Sequence, residues 1–424
     1  MTQTVFTTGA FSSVIRAGDS KRFRLNLKYQ RGTILSAAVA EISGGPVLEP
    51  FTTTRIKGRD CVSYDRFNDH LVLRSVSRHL QRRLRIPLPN RDRIVRGVIE
   101  SLVDATPMFI LRRDIKSFYE SIPLSALRER LLYDTASSTR VRDVIRKYFD
   151  QHCGTADCGL PRGVGLSAIL SELYMRGFDV RVREIPGVYK YYRFADDIVV
   201  FSSEAHSGVS SLLRTVAADF GFTFNPRKLQ DIAIAGGAKA SSNAEFEYLG
   251  YTFQVSSPDK RKEGRLLRVG ISNAKITRLK TRVLLSLRAY MQDGDFGLLN
   301  DRLRFIAGNY RVRRAQQTAI ATATHVRSGI FYNYRLSGIY KASEKGFTRE
   351  DLAPEELKRL DGFYHSLRKS RRSTFAWRFR NQLTPDQQAQ LARISFLAGF
   401  TKRMTVRLTP QRVGDLKAAW SHVA

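Results

Sequence analysis

Two adjacent carboxylates stand between two runs of strand-forming residues, and no other segment restricts the fold as tightly. From Tyr189 the chain reads Tyr-Lys-Tyr-Tyr-Arg-Phe, then Ala195-Asp196-Asp197, then Ile198-Val199-Val200-Phe201. Aromatic and β-branched residues on either side of a short polar break are the pattern of a β-hairpin. The flanks call for burial, whereas the acids lose hydration if buried, so the pair belongs at a turn. Two readings stay open at this point. One is an ordinary Asp-Asp hairpin turn. The other is a pair of oxygen ligands for a hard divalent cation that keeps positions free for substrate phosphates.

A third acid has a comparable setting. Met108-Phe109-Ile110-Leu111 reads as a short buried strand, and it runs through Arg112-Arg113 into Asp114. A strand-end Asp paired with Arg112 or Arg113 is the plain alternative. A carboxylate added to the Asp196-Asp197 pair would suit two-metal phosphoryl transfer, in which acids bridge ions about 3.5–4 Å apart.

Composition narrows the partners. The 424 residues carry 71 Lys/Arg against 39 Asp/Glu, a formal charge of +32. With 42% hydrophobic residues, 25 Phe and 17 Tyr, the chain can build real cores, so wholesale disorder is excluded. The charge is spread along the chain, which favours a nucleic-acid groove over a membrane-anchoring helix. Residues 261–330 are the most basic stretch, with 15 Lys/Arg against 4 Asp/Glu. No apolar run is long enough to span a bilayer, and the N-terminus has no basic segment followed by an apolar one. Three cysteines give no disulfide framework, so a reducing cytoplasm is expected.

Along the chain, the first 50 residues carry no clear pattern. Phe67 to Leu102 reads as basic helix, broken at Ile86-Pro87-Leu88-Pro89-Asn90. Helices are predicted at Leu124–Leu132, from Leu166, and at Ser210–Phe220 before Gly221. Gly154 to Gly165 reads as loop and Phe246 to Phe253 as a strand or hairpin. After Ile271 the chain turns helical, with Ile276, Leu279, Val283, Leu287 and Tyr290 on one stripe and Lys275, Arg278 and Arg282 on a basic face. The middle of the chain therefore predicts an α+β sheet with helices on one face. His152-Cys153 with Cys158 has unusual metal-ligand spacing and lacks an evident fourth ligand. No P-loop, nucleophile triad or appended nuclease motif is present.

Taken together, these segments resemble the reverse transcriptase family over roughly residues 80–255. Asp114-Ile-Lys-Ser-Phe-Tyr119 is similar to the family's first catalytic motif. Gly159-Leu-Pro-Arg-Gly163, continuing to Ser167, resembles the next, and Phe194-Ala-Asp-Asp197 the aromatic-x-Asp-Asp turn. Gly221-Phe-Thr-Phe-Asn225-Pro-Arg-Lys228 resembles the Gly…Asn…Lys motif, and Tyr248-Leu249-Gly250-Tyr251 the primer-grip hairpin. Upstream, Asp92-Arg93-Ile94-Val95 is similar to a fingers sequence of group II intron relatives.

The resemblance implies an α+β right-hand polymerase fold of fingers, palm with antiparallel sheet and helical thumb, plus an α-helical C-terminal region. The expected segments are 1–105 (N-terminal extension and fingers), 106–255 (palm, with part of the fingers), 256–340 (helical thumb) and 341–424 (C-terminal helical region). Carried over by motif, Asp114, Asp196 and Asp197, with Ile115 beside them, would hold Mg²⁺. Lys228 would protonate the leaving pyrophosphate, and Tyr119 would lie beneath the sugar and exclude a 2′-hydroxyl. Arg162, Gly163, Arg82, Arg91 and Arg93 would bind the nucleotide. Leu249, Gly250, Tyr251, Lys275, Arg278 and Arg282 would bind nucleic acid.

Departures from the family pattern are informative. Arg162 stands where Gln is usual, Ala168 near a usual Pro, and Glu172 near a usual Asn. Residues 160–174, with Arg302–Tyr310 and Ser328–Tyr334, are more similar to bacterial abortive-infection and defence-associated "unknown group" enzymes, including two-polymerase type 3 systems. That branch implies an antiphage role in the bacterial cytoplasm, with a non-coding RNA, a DNA product, dNTPs, and a second reverse transcriptase or a second copy of the chain as partners, and no membrane. Two other functions remain alongside RNA-directed DNA synthesis: template-independent or protein-primed nucleotidyl transfer, and a non-catalytic RNA-binding scaffold. Tyr290, Tyr310, Tyr332, Tyr334 and Tyr340 are the candidate priming hydroxyls, with packing and base stacking as their ordinary role.

Overall fold

Strand-forming runs and amphipathic helices alternate through the first two thirds of the chain, and they fold as the patterns require. The computed structural model describes residues 5–16, 19–27, 29–44, 48, 51–56, 58–104, 106–133, 137–152, 159–235, 244–256, 265–313, 325–343, 346–350 and 352–423. Cys153, Cys158 and the start of the loop predicted from Gly154 lie outside them. The described residues group into two units, the first within 1–94 and 107–234, the second within 95–106, 235–314 and 322–424.

The first unit begins with helices α1 (Thr8–Ser12), α2 (Asp19–Arg22) and α3 (Arg31–Gly44), then a hairpin of β1 (Thr52–Ile56) and β2 (Arg59–Ser63). Helix α4 (Phe67–Arg83) follows, and α5 (Arg91–Val103), whose residues from Val95 on belong to the second unit, starts after the Pro87/Pro89 break, as the sequence predicts. Next come β3 (Met108–Asp114), α6 (Leu124–Leu132), α7 (Thr139–His152), α8 (Gly165–Arg183), β4 (Val188–Phe194), β5 (Asp197–Ser202), α9 (His206–Asp219) and β6 (Gln230–Ile234). Strands order β4-β5-β3-β6, every pairing antiparallel. β3 and β5 are central, so Ile110, Leu111, Ile198, Val199, Val200 and Phe201 are all fully buried.

Helices α1–α3, the β1–β2 hairpin, helix α7 and strand β6 are not among the predicted elements, whereas α9 is, with a different start. Helix α7 buries Val141, Val144, Ile145, Tyr148 and Phe149, a spacing that carries a helical stripe on inspection. Strand β6 is short and half-exposed, so its pattern is weak. Helix α9 begins at His206, four residues before the predicted start.

In the second unit, β7 (Ala244–Tyr248), β8 (Tyr251–Ser256) and β9 (Leu266–Ile271) precede the long helix α10 (Asn273–Asp293), which buries Ile276, Leu279, Val283, Leu287 and Tyr290. Then follow α11 (Phe296–Ala307), β10 (Asn309–Arg313), β11 (His325–Gly329), α12 (Ile330–Tyr334), β12 (Gly338–Ser343) and β13 (Gly346–Glu350). Helices α13 (Glu355–Lys369), α14 (Thr374–Gln382), α15 (Pro385–Ala392), α16 (Phe396–Thr401) and α17 (Pro410–Lys417) complete it, with β14 (Thr405–Leu408) between the last two. One sheet runs β13-β12-β9-β8-β7; another, β11-β10-β14, contains a parallel β10–β14 pair. The stretch after Ile271 is thus helical at α10 and α11 but also contributes five strands. Among the described residues no helix is long and apolar enough to cross a membrane.

Candidate active site

Register places the acids together. β3 pairs with β5 so that Asp114 lies opposite Asp197, and the Ile115 amide donates to the Asp196 carbonyl at 2.9 Å. All three carboxylates therefore occur at one end of the two central strands. The turn between β4 and β5 is held by Ala195 in the left-handed region, φ 54°, which is uncommon for a residue with a Cβ. Arg193 Nη1 donates to the Ala195 carbonyl at 3.3 Å and helps fix that turn.

Like charges at close quarters need support. Burial pushes the Asp196 carboxyl above its ordinary range, and the Asp114 charge adds to the shift. Burial pushes Asp197 up as well, with Arg112 pulling against it and the two other acids reinforcing it. Arg112 donates to both Asp197 oxygens at 3.3 and 3.4 Å. Lys228 Nζ meets Asp114 Oδ2 at 2.6 Å, and Asn225 Nδ2 meets Oδ1 at 3.3 Å. The sequence places Lys228 there because the Asn225 side chain caps the short turn Pro226–Lys228, while the Asn225 amide donates to the Asp114 carbonyl at 2.8 Å. The expected alternative partners of Asp114 are engaged elsewhere: Arg112 with Asp197, and buried Arg113 with Asp231 at 2.5 Å and Ser210 at 2.9 Å.

Among the described residues, no group of three or more His, Cys, Asp or Glu side chains is arranged so that it could hold a metal ion. Two of the three carboxylates are drawn onto cations instead. The donor chemistry nevertheless fits a hard divalent ion, since the acids are oxygen ligands, desolvated and mutually repelling.

Glu172, one of the departures from the family pattern, has a structural role. Its oxygens receive Arg193 at 3.1 and 2.8 Å, and Arg193 also holds Asp179 at 2.7 and 2.9 Å. This largely buried network ties α8 to β4 immediately beneath the acidic turn, and the two carboxylates hold the Arg193 proton more firmly than usual.

Arg162 forms the opposite border. It donates to Glu120 at 2.5 and 2.9 Å, and its guanidinium lies 5.2 Å from the Tyr119 ring centroid. Tyr119 is half-buried and packed 5.2 Å from Phe118, and burial raises its hydroxyl above the usual range while the nearby Ser171 opposes the shift. The Arg162 carbonyl accepts the Val62 amide at 2.7 Å, which docks the β1–β2 hairpin on this loop. Gly163 sits at φ 93°, and a Cβ there would collide with the Val62 carbonyl, so the position requires glycine. The hairpin brings Arg59 within electrostatic reach of Glu120, a residue that the sequence reading passes over because the first segment shows no periodicity.

The other candidates fall into separate places. Arg82 lies in the last turn of α4 with its charge beside Arg78. Arg91 and Arg93 occupy the first turn of α5, where Arg91 stands 3.9 Å from Asp92. In the second unit, Leu249 (φ 48°) and Gly250 (φ 83°) make the tight β7–β8 turn. Tyr251 is fully buried and donates to the Asn333 carbonyl at 3.0 Å. Lys275, Arg278 and Arg282 are half-buried on α10, and the Nε atoms of Arg278 and Arg282 have no protein acceptor. Arg282 also lies 6.0 Å from the Trp420 ring. Tyr290, Tyr334 and Tyr340 are buried packing residues, while Tyr310 stacks on Phe305 at 4.4 Å.

An antiparallel sheet that gathers three acids at two strand ends, with helices packed on it, is an α+β arrangement of the polymerase kind. Residues 89–253 match the family described as reverse transcriptase (RNA-dependent DNA polymerase). Among solved structures, the chain is similar to apo telomerase from Candida tropicalis truncated from the C-terminal domain. That similarity has 17% identity and a TM-score of 0.32, and covers 43% of this chain and 42% of the other. No curated protein sequence matches.

Proposed function

We propose that the chain is an RNA-directed DNA polymerase whose Mg²⁺ ions are held by Asp114, Asp196 and Asp197. One observation carries the reading: the three acids share the end of β3 and β5, with Lys228 on Asp114. Bound there, Mg²⁺ would activate the attacking hydroxyl and neutralise charge on the leaving pyrophosphate. Lys228 is the chain's own cation at this edge and the proton source for that leaving group. The Tyr119 ring, braced by Arg162 and Phe118, supports the sugar and disfavours a 2′-hydroxyl. Arg162 and Arg59 supply positive charge beside it. The four-stranded sheet is then the palm, and α10 with its half-buried arginines belongs to a thumb that meets the phosphate backbone. The setting we assign, antiphage defence in the bacterial cytoplasm, rests on the motif resemblance.

A second reading, template-independent synthesis, is favoured by Arg162 alone, because the residue replacing the usual Gln is committed to Glu120 and Tyr119. One assay separates the two. The full chain is incubated with labelled dNTPs and Mg²⁺, with and without RNA, and the product is sequenced. Product complementary to the RNA and absent in Asp197→Ala is expected. Equal product without RNA selects the second reading. No incorporation in any condition, with Asp197→Ala indistinguishable, overturns both.

A further inference from the structure

A cavity of about 550 Å³ opens in the first unit, bounded by the chain after α1, the end of β2, the inner face of α4 and the first turn of α8. None of the three carboxylates lines it. Four arginines do, Arg16, Arg22, Arg74 and Arg78, and no Asp or Glu is part of the lining.

Their partners leave most of this charge uncompensated. Arg74 is paired with Asp19 at 2.6 and 3.0 Å, and that same carboxylate accepts the Arg16 amide at 2.7 Å. Arg22 donates to the Ser63 hydroxyl at 2.9 Å and Arg78 to the Ser13 carbonyl at 3.0 Å, both neutral acceptors. Burial, and then the facing Arg74, push the Arg16 guanidinium below its usual range, with Asp19 opposing. Burial lowers His70 too, and Arg22 and Arg74 add to that shift. Arginine stays protonated at physiological pH, so the repulsion persists until an anion enters.

The rest of the lining says what kind of anion. Gly163, Val164 and Gly165 bring the start of α8 to the cavity, and the N-cap residue Val164 offers no side-chain acceptor for the first amides. Ser63 and Ser77 add hydroxyls, while Leu73, Leu88 and Ile169 add apolar surface. A lone phosphate would leave most of the volume empty. The size lies within the range of small-molecule sites, roughly 300–1,000 Å³, and such mixed walls accept a sugar or base beside a charged group.

The geometry points to a second nucleotide site, separate from the carboxylates, in which Arg16, Arg22 and Arg78 hold the 5′-phosphate of a mononucleotide-sized ligand. Guanidinium forks match phosphate oxygens, and three of them suit a dianionic monoester better than a carboxylate. The same chemistry comes from two sources, a free nucleotide or the 5′-phosphorylated end of a strand.

The test uses the full chain in EDTA, with AMP, inorganic phosphate, and a trinucleotide with or without a 5′-phosphate as probes, read by calorimetry. AMP or the phosphorylated trinucleotide should bind, and Arg16→Ala/Arg22→Ala should weaken that binding at least tenfold. Asp197→Asn should leave it unchanged. A thermal melt establishes that the double variant is folded, and Arg78→Gln repeats the test from another wall. AMP binding at least as tightly as the phosphorylated trinucleotide identifies a free nucleotide; the reverse identifies a strand end. No binding up to 1 mM, unchanged affinity in both arginine variants, or equal affinity for the trinucleotide lacking its phosphate overturns the proposal. Each of those results leaves the polymerase reading standing, since that reading rests on other residues.

Discussion

The first unit holds two clusters of like charge, and they are built differently. At the end of β3 and β5 three acids meet two cations aimed directly at them, Lys228 on Asp114 and Arg112 on Asp197. In the cavity beside α4, four arginines line the wall and one of them, Arg74, is paired with a carboxylate, Asp19. The acidic cluster thus brings its own counter-charge, whereas the basic one leaves its charge to a ligand. Both are strained by burial, but only the acidic end has a second tier: Arg193 buttresses the turn from below through Glu172 and Asp179. Groups that must stay fixed while ligands come and go gain from such support. Groups that only receive a ligand do not need it.

The largest test of that difference removes the buttress. Arg193→Met strips the ion pair from two largely buried carboxylates, leaving Asp179 the Tyr191 hydroxyl, which should cost about 3–5 kcal/mol in urea unfolding. Loss of under 1 kcal/mol would place the network among incidental pairs. Next comes Asp196→Asn, which takes one charge from the repelling set. Incorporation should fall by roughly a thousandfold, about 4 kcal/mol, while the melting temperature holds or rises. A coupled fall in stability would show that the acid is structural rather than functional.

Acidification should separate the clusters by sign. His152 sits against Phe51 and accepts or donates to the Tyr64 hydroxyl at 2.9 Å, and Tyr64 lines the cavity. Burial lowers its pKa from 6.5 to about 4. The folded state therefore binds fewer protons than the unfolded one, so stability present above pH 6.5 declines as pH falls toward 4. The ring is partly exposed, so solvent screening should hold the loss to about 1–2 kcal/mol. Asp196 and Asp197 are raised, so the folded state takes up their protons first and the acidic end gains stability over the same fall. Urea titrations of wild type and His152→Gln between pH 7 and 4 would show it: the variant should lose the decline. An unchanged slope would remove His152 from the account.

The acidic end was legible in the sequence because each strand end carries its acid in one contiguous segment, and strand alternation fixes where that segment points. Tyr189–Phe201 announced its hairpin, and Met108–Asp114 its strand. The counter-ions were less legible: Arg112 or Arg113 on Asp114 was the plain alternative, yet Arg112 bonds Asp197 and Arg113 bonds Asp231, because antiparallel register, which short segments do not encode, decides which neighbour each meets. The arginine cavity was invisible for a stronger reason. Arg16, Arg22, Arg74 and Arg78 come from three helical neighbourhoods, and each alone reads as a solvated basic side chain. Strands β10 and β11 fall in the basic stretch expected to be a helical thumb, and β12 to β14 in or beside the C-terminal region expected to be helical.

One backbone bond has a wider consequence. The Val62 amide on the Arg162 carbonyl joins the hairpin to the loop beside Tyr119, and the residues on either side of it, Val62, Ser63 and Gly163, also form cavity wall. The bond behaves as a pin through two plates: neither can swing without shearing it. Its amide proton is therefore a natural gauge of whether the two charged regions move as one piece, exchanging with solvent only when the plates part.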